Sequence, residues 1–245
     1  MANIATTTSP IFNTSPRIER VALSGGAFCL VIDDALVEPE RVAGFALAQA
    51  REFRNVDFNA YPGTYLMPLP ELVEALRVFF IQHLRRFFDA RRVVSAHCRY
   101  SLVTLEPNAL RPYQWFCHRD NQRVVPGESI QASVLYLFRD AALGGTGFYE
   151  PAIPPDALTA FYVDANTLSV EAFAGKYGLE PGYICDSTRY FTKIGSVPAK
   201  WNRLIFYDGS LLHSGDIRAP ERLSTDPARG RLTFNGFFVS RRNAA

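Results

Sequence analysis

Three side chains of this sequence have the types and spacing that hold a metal ion. His118 and Asp120 are separated by one residue, and His213 comes much later, after an apolar segment at 203–207 and a turn. In an extended chain, side chains two positions apart point to the same side, so His118 and Asp120 would converge while Arg119 points away. Two imidazoles and a carboxylate on one face would suit a divalent transition metal that keeps open coordination positions.

An octahedral ion held by three such ligands keeps about three positions for other molecules, as in non-haem Fe(II) oxygenases. The H-x-D string alone is weak evidence, because it also occurs in turns with a hydrogen-bonded aspartate. Cys117 adjoins His118, but in an extended segment it points away, and we do not expect it to be a ligand. His83, beside an apolar helical stripe, and His97 are expected to be structural or surface residues.

The elements that must position these side chains change in type along the chain. Residues 1–20 are rich in Ser, Thr, Asn and Pro and are expected to form a mobile arm. A short buried strand is expected at 27–33. Two helices follow: one begins at Pro39, since proline suits the first helical turn, and one carries the apolar stripe at 72–88. Residues 60–70, with several prolines and a glycine, are expected to be an ordered loop.

Short β-branched and aromatic segments dominate the rest of the sequence and predict strands. They occupy residues 98–105, 131–138, 147–149, 203–207 and 231–239. An insert at about 152–190 interrupts them, and its middle, residues 168–177, is expected to be helical. Helices followed by strands favour a mainly β fold with flanking helices (α+β), and a double-stranded β-helix, or jelly roll, fits the strand count. One domain is expected at residues 21–245.

The order of motifs from residue 98 to residue 241 resembles the prolyl-4-hydroxylase-like branch of the Fe(II)/2-oxoglutarate oxygenases. That branch reads H-x-D, an apolar strand ending in Tyr-Leu, Gly-Gly near a Thr and an aromatic, Val-Pro, a second apolar strand, a His, and Gly-Arg opening a last strand. The matching segments here are 118–120, 133–137, 144–148, 197–198, 204–207, 211–215 and 230–233. Residues 31–34, 38–40 and 61–63 also resemble an uncharacterised bacterial subset of this superfamily.

The resemblance implies a 2-oxoglutarate-dependent dioxygenase whose catalytic centre is Fe(II) held by His118, Asp120 and His213. Its partners would be O2 and a small-molecule, amino-acid or peptide substrate, and the expected reaction is hydroxylation of an unactivated C–H bond. Halogenating members of the superfamily replace the carboxylate ligand with a small residue, so Asp120 favours hydroxylation or a related oxidation. The motifs do not encode the prime substrate, the choice between hydroxylation and desaturation, or the oligomeric state.

The resemblance also implies a guanidinium that grips the planar distal carboxylate of 2-oxoglutarate with two parallel hydrogen bonds. Arg231 opens an apolar strand, and Thr233 faces the same way. Thr233 or Tyr136 would complete the hydrogen bonds to this carboxylate. Arg222 is the rival, because its distance from His213 is the usual one in the family, but a Pro/Ser/Asp loop around it would hold a guanidinium poorly.

Residues that flank the metal motif have two interpretations each. Trp115 and Phe116 either form a wall of the substrate pocket or pack in the core. Arg119, Asn121 and Arg123 either orient a polar or anionic substrate or form a solvated edge.

Two further segments have a structural and a functional interpretation. Gly144 and Gly145 are expected to form a turn that lets the sheet reverse. The insert, with Tyr183, Arg189 and Tyr190, could cover the site as a lid, which is a common use of long insertions.

Composition limits the other function classes. The 245 residues include 26 basic and 24 acidic side chains, and a net charge of +2 gives no electrostatic reason to expect nucleic acid as a partner. The four cysteines form no C-x-x-C pair, which argues against a zinc knuckle and favours reduced thiols. The sequence shows no secretory signal and no apolar stretch long enough to cross a membrane, so we expect a cytoplasmic protein.

Two other functions stay open. A cupin-like metalloenzyme that does not use 2-oxoglutarate usually carries more histidines around its metal, whereas this sequence has four in total, and it would not need Arg231. A non-catalytic binding module of the same fold would be favoured by the loss of a ligand, but all three candidates are present. Turnover of 2-oxoglutarate tests the first rival, and binding of Fe(II) or Mn(II) tests the second.

Overall fold

The computed structural model describes residues 9–55, 60–120 and 125–242. The α-helices in these ranges are α1 (Pro39–Ala48), α2 (Pro70–Phe79), α3 (Pro155–Thr167) and α4 (Val170–Tyr177). The strands are β1 (Glu19–Ala22), β2 (Phe28–Ile32), β3 (Arg54–Asn55), β4 (Gly63–Leu66), β5 (Ala90–Val103), β6 (Glu128–Tyr136), β7 (Thr146–Pro151), β8 (Phe191–Val197), β9 (Leu204–Asp208), β10 (Leu212–Gly215) and β11 (Arg231–Arg242). A proline begins α1, α2 and α3, because the first helical turn needs no backbone donor.

The strands form two antiparallel sheets. The eight-stranded sheet has the order β1-β2-β9-β6-β11-β5-β4-β3, and the three-stranded sheet has the order β10-β7-β8. A bridge between His118 and His213 adds the segment after β5 to the small sheet, beside β10. From β5 onward the chain crosses repeatedly between the sheets, with β5, β6, β9 and β11 in the large one. This is the topology of a double-stranded β-helix with flanking helices, and it confirms the expected fold class.

Alternation along the strands gives the large sheet two different faces. In β5, Tyr100 packs with α1 and α2 in one apolar core, whereas Arg99 and Ser101 belong to the opposite, inner face. A second core fills the space between the two sheets and includes Tyr136, Phe148, Ile205 and Tyr207. The metal motif lies beside this second core, because the ring of Tyr207 is 4.7 Å from that of His213.

The insert packs on the outer face of the small sheet. Phe161 of α3 and Phe173 of α4 share a third apolar core with Trp115, Phe116 and Cys117. The helix expected at 168–177 is confirmed as α4, whereas α3 was not expected. Helices α3 and α4 therefore support the back of the segment that leads to His118, where Trp115 and Phe116 pack in a core. The interpretation of the whole insert as a lid stays a prediction.

Two expectations about the first half of the chain are wrong. Residues 60–70 include β4 and not only a loop, because Gly63 lets the strand approach β5 closely: a Cβ on Gly63 would lie 2.0 Å from the Leu102 carbonyl oxygen. The apolar stripe at 72–88 is not one α-helix. After α2 it continues as a wider turn at Phe80–Leu84 and a 3-10 turn at Arg85–Phe88.

The arm expected at residues 1–20 is described only from residue 9. Phe12 is 5% exposed, pairs with Leu36, and its ring lies 5.2 Å from that of Phe79, so this part of the segment belongs to the folded domain. Residues 1–8 lie outside the described ranges, and the boundary of the domain stays a prediction. In the described ranges, no helix combines the length and apolarity that a membrane span requires.

Candidate metal centre and guanidinium site

Backbone hydrogen bonds fix the three candidate metal ligands against one another. The His118 N–H donates to the His213 carbonyl at 3.0 Å, and the His213 N–H donates back at 2.9 Å. The Asp120 N–H donates to the carbonyl of Gly209 at 3.0 Å, in the turn between β9 and β10. The extended path from His118 to Asp120 puts both side chains on the same side, as the H-x-D spacing predicts.

The side chains of His118, Asp120 and His213 converge on one point. Each offers a ligand atom, and these atoms all lie within 4.8 Å of one another. Asp120 Oδ2 is 3.3 Å from His213 Nε2, and Asp120 Oδ1 is 3.8 Å from His118 Nε2. The side chains of Asp120 and His213 are 10% and 7% exposed, but that of His118 is 42% exposed, so the group is accessible from the His118 side.

The electrostatics of this group fit a cation. His213 Nδ1 lies 2.9 Å from the Leu211 carbonyl oxygen, and a hydrogen bond there places the ring proton on Nδ1 and the lone pair on Nε2. That lone pair faces Asp120 Oδ2, a buried atom that accepts no hydrogen bond from the described residues. Two acceptors 3.3 Å apart repel each other unless a positive ion lies between them.

Burial shifts the pKa of each ligand. Burial lowers the pKa of His213 to about 4, so its imidazole is neutral at neutral pH. The pKa of His118 is lowered to about 4, first by desolvation and then by the nearby His213. Burial raises the pKa of the Asp120 carboxyl to about 6, against the effect of His118 and Arg99. Neutral imidazoles and a poorly solvated carboxylate are the forms that bind a metal.

Arg231, at the start of β11, places a cation on the inner side of the fold. The residue is 5% exposed. Its Nε donates to the Gly144 carbonyl at 3.1 Å, and its Nη2 donates to the Gly145 carbonyl at 2.7 Å. These contacts leave other N–H groups of the guanidinium for a ligand. Among the described residues, no carboxylate forms an ion pair with Arg231.

Gly144 and Gly145 do more than reverse the chain. Gly144 has a φ of 83°, and a Cβ on it would lie 2.1 Å from the Asp216 carbonyl oxygen. A Cβ on Gly145 would lie 2.0 Å from the Val197 carbonyl oxygen. Glycine is therefore required at both positions, and the turn holds both carbonyls on the guanidinium of Arg231.

Hydroxyl groups surround the Arg231 end of the site. Thr233 pairs with Tyr136 across β6 and β11, and both belong to the inner face. The Tyr136 hydroxyl is 2.8 Å from Thr146 Oγ1, and burial raises its pKa to about 12 against the effect of Arg231. Tyr61, which precedes β4, lies near Thr233 and Arg231, whose positive charge lowers its pKa against a larger rise from burial. Sequence reasoning missed Tyr61, because only the pairing of β4 with β5 brings it to this end of the sheet.

The rival Arg222 lies in a different environment. Its side chain is 54% exposed and forms an ion pair of 2.6 Å with Asp140. A guanidinium that is already paired and open to water is a weak site for a small dicarboxylate. The geometry therefore favours Arg231 over Arg222.

The other flanking residues contribute less to the site. Arg119 is exposed, and Asn121 and Arg123 lie outside the described residues. Cys117 is fully buried in the third core, which agrees with its exclusion as a ligand. His83 and His97 are not part of the metal group within the described residues; the ring of His83 lies 5.0 Å from that of Phe79, and His97 is exposed.

Three residues of the insert donate hydrogen bonds to main-chain carbonyls: Tyr183, Arg189 and Tyr190. The Tyr183 hydroxyl donates to the Leu105 carbonyl at 2.6 Å, just beyond β5. Arg189 and Tyr190 both donate to the carbonyl of Tyr177, at the end of α4. Arg189 and Tyr190 thus hold the insert together. Of these three residues only Tyr183 reaches the Arg231 end of the site. There the charge of Arg231 lowers the pKa of Tyr183, although burial raises it by more.

A second inner-face arginine was also missed by sequence reasoning. Arg99 of β5 lies opposite Asn235 of β11. Its guanidinium is 4.0 Å from the ring centroid of Tyr65 and 4.6 Å from that of Phe237. Alternation in the predicted strand at 98–105 could have placed Arg99 on the same face as Ser101, but its neighbours depend on strand register.

A family comparison assigns the chain to a known group. The model of DUF6445, a family of unknown function, matches residues 14–238. The chain belongs to this family. The match includes all three candidate metal ligands and Arg231. No functionally curated protein matches the sequence.

Similar solved structures share little sequence with this chain. The non-heme α-ketoglutarate dependent epimerase SnoN from nogalamycin biosynthesis is 12% identical, with 88% of this chain and 80% of that chain covered and a TM-score of 0.46. A Pseudomonas putida prolyl-4-hydroxylase is 16% identical, with 88% of each chain covered and a TM-score of 0.43. HygX from Streptomyces hygroscopicus, solved with nickel and 2-oxoglutarate bound, is 12% identical, with 87% and 82% covered and a TM-score of 0.41.

Proposed function

We propose that this protein is an Fe(II)/2-oxoglutarate-dependent dioxygenase that hydroxylates an unactivated C–H bond of a small molecule, an amino acid or a peptide side chain. The observation that carries the proposal is the pairing of two sites on the inner side of one jelly roll. One is a group of two neutral imidazoles and a carboxylate, and the other is a buried guanidinium without a carboxylate partner among the described residues.

The metal part of the proposal rests on the opposed acceptors of Asp120 and His213. Their contact is unfavourable in the metal-free protein and favourable around a divalent cation. Two histidines and one carboxylate are the ligand set of non-haem Fe(II) oxygenases, and they leave coordination positions for a co-substrate and O2. His118, Asp120 and His213 would hold the iron.

The co-substrate part rests on the cost of burying a cation. An unpaired guanidinium in a dry site is costly, and an anionic ligand removes that cost. Arg231 is held by main-chain carbonyls and can donate in parallel to a planar carboxylate. Arg231, with Thr233 and Tyr136 beside it, would bind the distal carboxylate of 2-oxoglutarate.

The residues of this chain then have separate tasks. When bound, Fe(II) and 2-oxoglutarate together supply the oxidising power for O2-dependent attack on a C–H bond. The Leu211 carbonyl orients the ring of His213, and the Gly209 carbonyl holds the backbone at Asp120. Arg231 fixes the far end of the co-substrate. The core between the sheets keeps water from this side of the site.

The carboxylate ligand favours hydroxylation over halogenation. A halide would need the position that Asp120 occupies, and the backbone hydrogen bond to Gly209 keeps this side chain at the ligand group. We therefore expect no chlorinated product when chloride is present.

Anaerobic titration with Fe(II) and then 2-oxoglutarate tests the proposal, read out by the weak visible charge-transfer band of an iron–2-oxo acid complex. We expect the band in the natural protein and in Arg222→Met, and its loss in Arg231→Met. Metal binding without a band would favour the cupin-like enzyme that does not use 2-oxoglutarate. Failure to bind Fe(II) or Mn(II) would favour a binding module.

A further inference from the structure

Arg99 is a second cation on the inner face that the proposed metal and co-substrate sites do not use. It lies opposite Asn235, four residues beyond Arg231 along β11. With a rise of about 3.3 Å per residue, Arg99 and Arg231 belong to positions about 13 Å apart along the sheet. A single five-carbon diacid that also reaches the metal ligands cannot occupy both.

Two aromatic rings hold the Arg99 guanidinium in place. Tyr65 of β4 and Phe237 of β11 lie 4.0 Å and 4.6 Å from it, measured to the ring centroids. Tyr65 is 8% exposed, so its ring is part of the fixed structure. Cation–π contacts stabilise the charge without using its N–H groups, which stay directed outward in the plane of the guanidinium.

The polar atoms around Arg99 are not satisfied by the described residues. Its Nε is buried and has no hydrogen-bond acceptor among residues 9–55, 60–120 and 125–242. The facing Asn235 donates through Nδ2 to Ser101 Oγ at 3.3 Å, but its buried Oδ1 has no partner within those ranges. An unused donor and an unused acceptor thus lie side by side on neighbouring strands.

Strand register places Arg99 on the part of the inner face that leads to the metal group. Phe237, whose ring contacts the Arg99 guanidinium, lies opposite Ala132 of β6, and Ala132 lies opposite Tyr207 of β9. The ring of Tyr207 is 4.7 Å from that of His213. Arg231 is held instead by the carbonyls of Gly144 and Gly145, so the two arginines define different regions of the inner face.

We propose that Arg99 and Asn235 form the recognition site for the prime substrate, which carries an anionic group, a carboxylate or a phosphate, bound by the guanidinium clamped between Tyr65 and Phe237. A hydrogen-bond donor of the substrate next to that group meets Asn235 Oδ1. The inference rests on the proposed oxygenase function only where it identifies the molecule that carries the anionic group as the prime substrate. Anion binding at Arg99 itself needs neither metal nor 2-oxoglutarate.

The test follows the Nε–H signal of Arg99 by ¹⁵N NMR in metal-free protein without 2-oxoglutarate. The signal is assigned by its loss in Arg99→Lys. Sodium acetate and inorganic phosphate are the anionic probes, and acetamide is the neutral match for acetate. The Nε–H of Arg92, an exposed residue of the same strand, is the internal control.

We expect a saturable shift of the Arg99 signal with acetate or phosphate, no shift with acetamide, and no saturation at Arg92. The anion that saturates at the lower concentration identifies the carboxylate or phosphate class. Asn235→Asp, which places a carboxylate beside Arg99, should abolish saturation, and it also assigns the signal if Arg99→Lys does not fold. A response at Arg99 equal to that at Arg92, or equal shifts with acetate and acetamide, would overturn the proposal.

These outcomes are distinguishable from failure of the proposed function. A protein that shows the Arg99 response but no iron–2-oxoglutarate band keeps an anion site and loses the oxygenase assignment. A protein with the band but without the Arg99 response keeps the assignment and loses this substrate class.

Discussion

The contact between Asp120 Oδ2 and His213 Nε2 is expected to destabilise the metal-free protein and to be required for metal binding. Asp120→Asn replaces one acceptor by an amide that can donate to His213 Nε2, 3.3 Å away in the natural protein. We expect the metal-free variant to gain about 1 kcal/mol in free energy of unfolding, the usual value of a new hydrogen bond. Urea unfolding with chelator present measures the gain.

The same substitution should weaken metal binding. Loss of a direct ligand is expected to cost more than the roughly 10- to 100-fold that follows loss of an outer partner. Mn(II) affinity of Asp120→Asn measures this, with Asp34→Asn as the matched control, because Asp34 is exposed at a φ of 51° that asparagine tolerates. Unchanged Mn(II) affinity in Asp120→Asn would remove Asp120 from the ligand set.

Arg231 is expected to be irreplaceable even by lysine. Lysine keeps the charge but lacks the planar fork that can contact two carbonyls and a carboxylate together. Arg231→Lys should raise the dissociation constant for 2-oxoglutarate by about 10-fold or more, the cost of a charged hydrogen bond, with Mn(II) affinity unchanged. Calorimetric titration measures both, and an equal loss in the control Arg222→Lys would return Arg222 to consideration.

The sequence predicts the residues whose positions follow from local rules. Alternation brings His118 and Asp120 together, and motif order adds His213, Arg231, Thr233 and Tyr136. Arg99 and Tyr61 could not be predicted, because their neighbours depend on the pairing of β4, β5 and β11. No local pattern in the sequence specifies that register.

At the scale of elements, the insert should behave as a core. Phe161 is fully buried in α3 and contacts the rings of Phe116, Phe173 and Tyr177 at 4.7 to 5.3 Å. Phe161→Ala should lower the free energy of unfolding by about 3–5 kcal/mol. Urea unfolding measures the loss, and Val163→Ala, at a position 55% exposed on the same helix, should change little. A mobile lid would instead tolerate Phe161→Ala.

The carboxylate of Asp33, just after β2, connects that strand to the segment before β9. Asp33 accepts from Arg203 Nε at 2.6 Å and Nη2 at 3.1 Å, and from Lys200 Nζ at 2.8 Å. The Arg203 hydrogen bonds, above all, lower the pKa of Asp33 to about 2. Because the folded pKa is below that of the unfolded chain, the stabilisation is complete above about pH 4 and is lost as the pH falls through the folded pKa.

Asp33→Asn should therefore lower the free energy of unfolding at pH 7 by about 1 kcal/mol, a modest value because the pair is partly exposed. The difference from the natural protein should shrink as the pH falls from 4 to 2. Unfolding curves across this range measure it. Asp186→Asn is the control, since that ion-paired side chain is 73% exposed and should contribute little.

The helices and strands were predictable where the periodicity of apolar side chains and the residues that mark element ends indicate the same element. Pro39 marks the start of α1, and β-branched or aromatic runs mark β2, β6, β9 and β11. Strands β1, β3, β4 and β10 were missed, and each has four residues or fewer. Their side-chain pattern is too short to show a period, so only partner strands define them. The seven-residue β8, which follows the insert, was missed as well.

At the scale of the whole molecule, the metal group joins the two sheets. His118 and His213 belong to the small sheet. The Asp120 N–H donates to the Gly209 carbonyl, and the Gly209 N–H in turn donates to the carbonyl of Ile130 in β6 of the large sheet. A bound ion would therefore link both sheets. Zn(II) at about 100 times its dissociation constant should add about 2.7 kcal/mol to the free energy of unfolding.

Amide hydrogen exchange locates this stabilisation. We expect Zn(II) to slow exchange in β6 and β10 together, and we expect no slowing in His118→Ala. His97→Ala, at an exposed histidine outside the metal group, is the control that should keep the effect. Slowing in β10 alone would mean that the ion does not link the sheets.

The hydrogen bonds from Arg231 to the carbonyls of Gly144 and Gly145 have a consequence for the choice of co-substrate. Main-chain carbonyls do not change rotamer, and the backbone around both glycines leaves no room for a Cβ. The guanidinium therefore lies at a fixed distance from the metal ligands, and this distance sets the length of the diacid that can contact both. A 2-oxo diacid one methylene shorter or longer than 2-oxoglutarate would lose contact at one end or be compressed, so selectivity for chain length would reside in two residues that have no side chain.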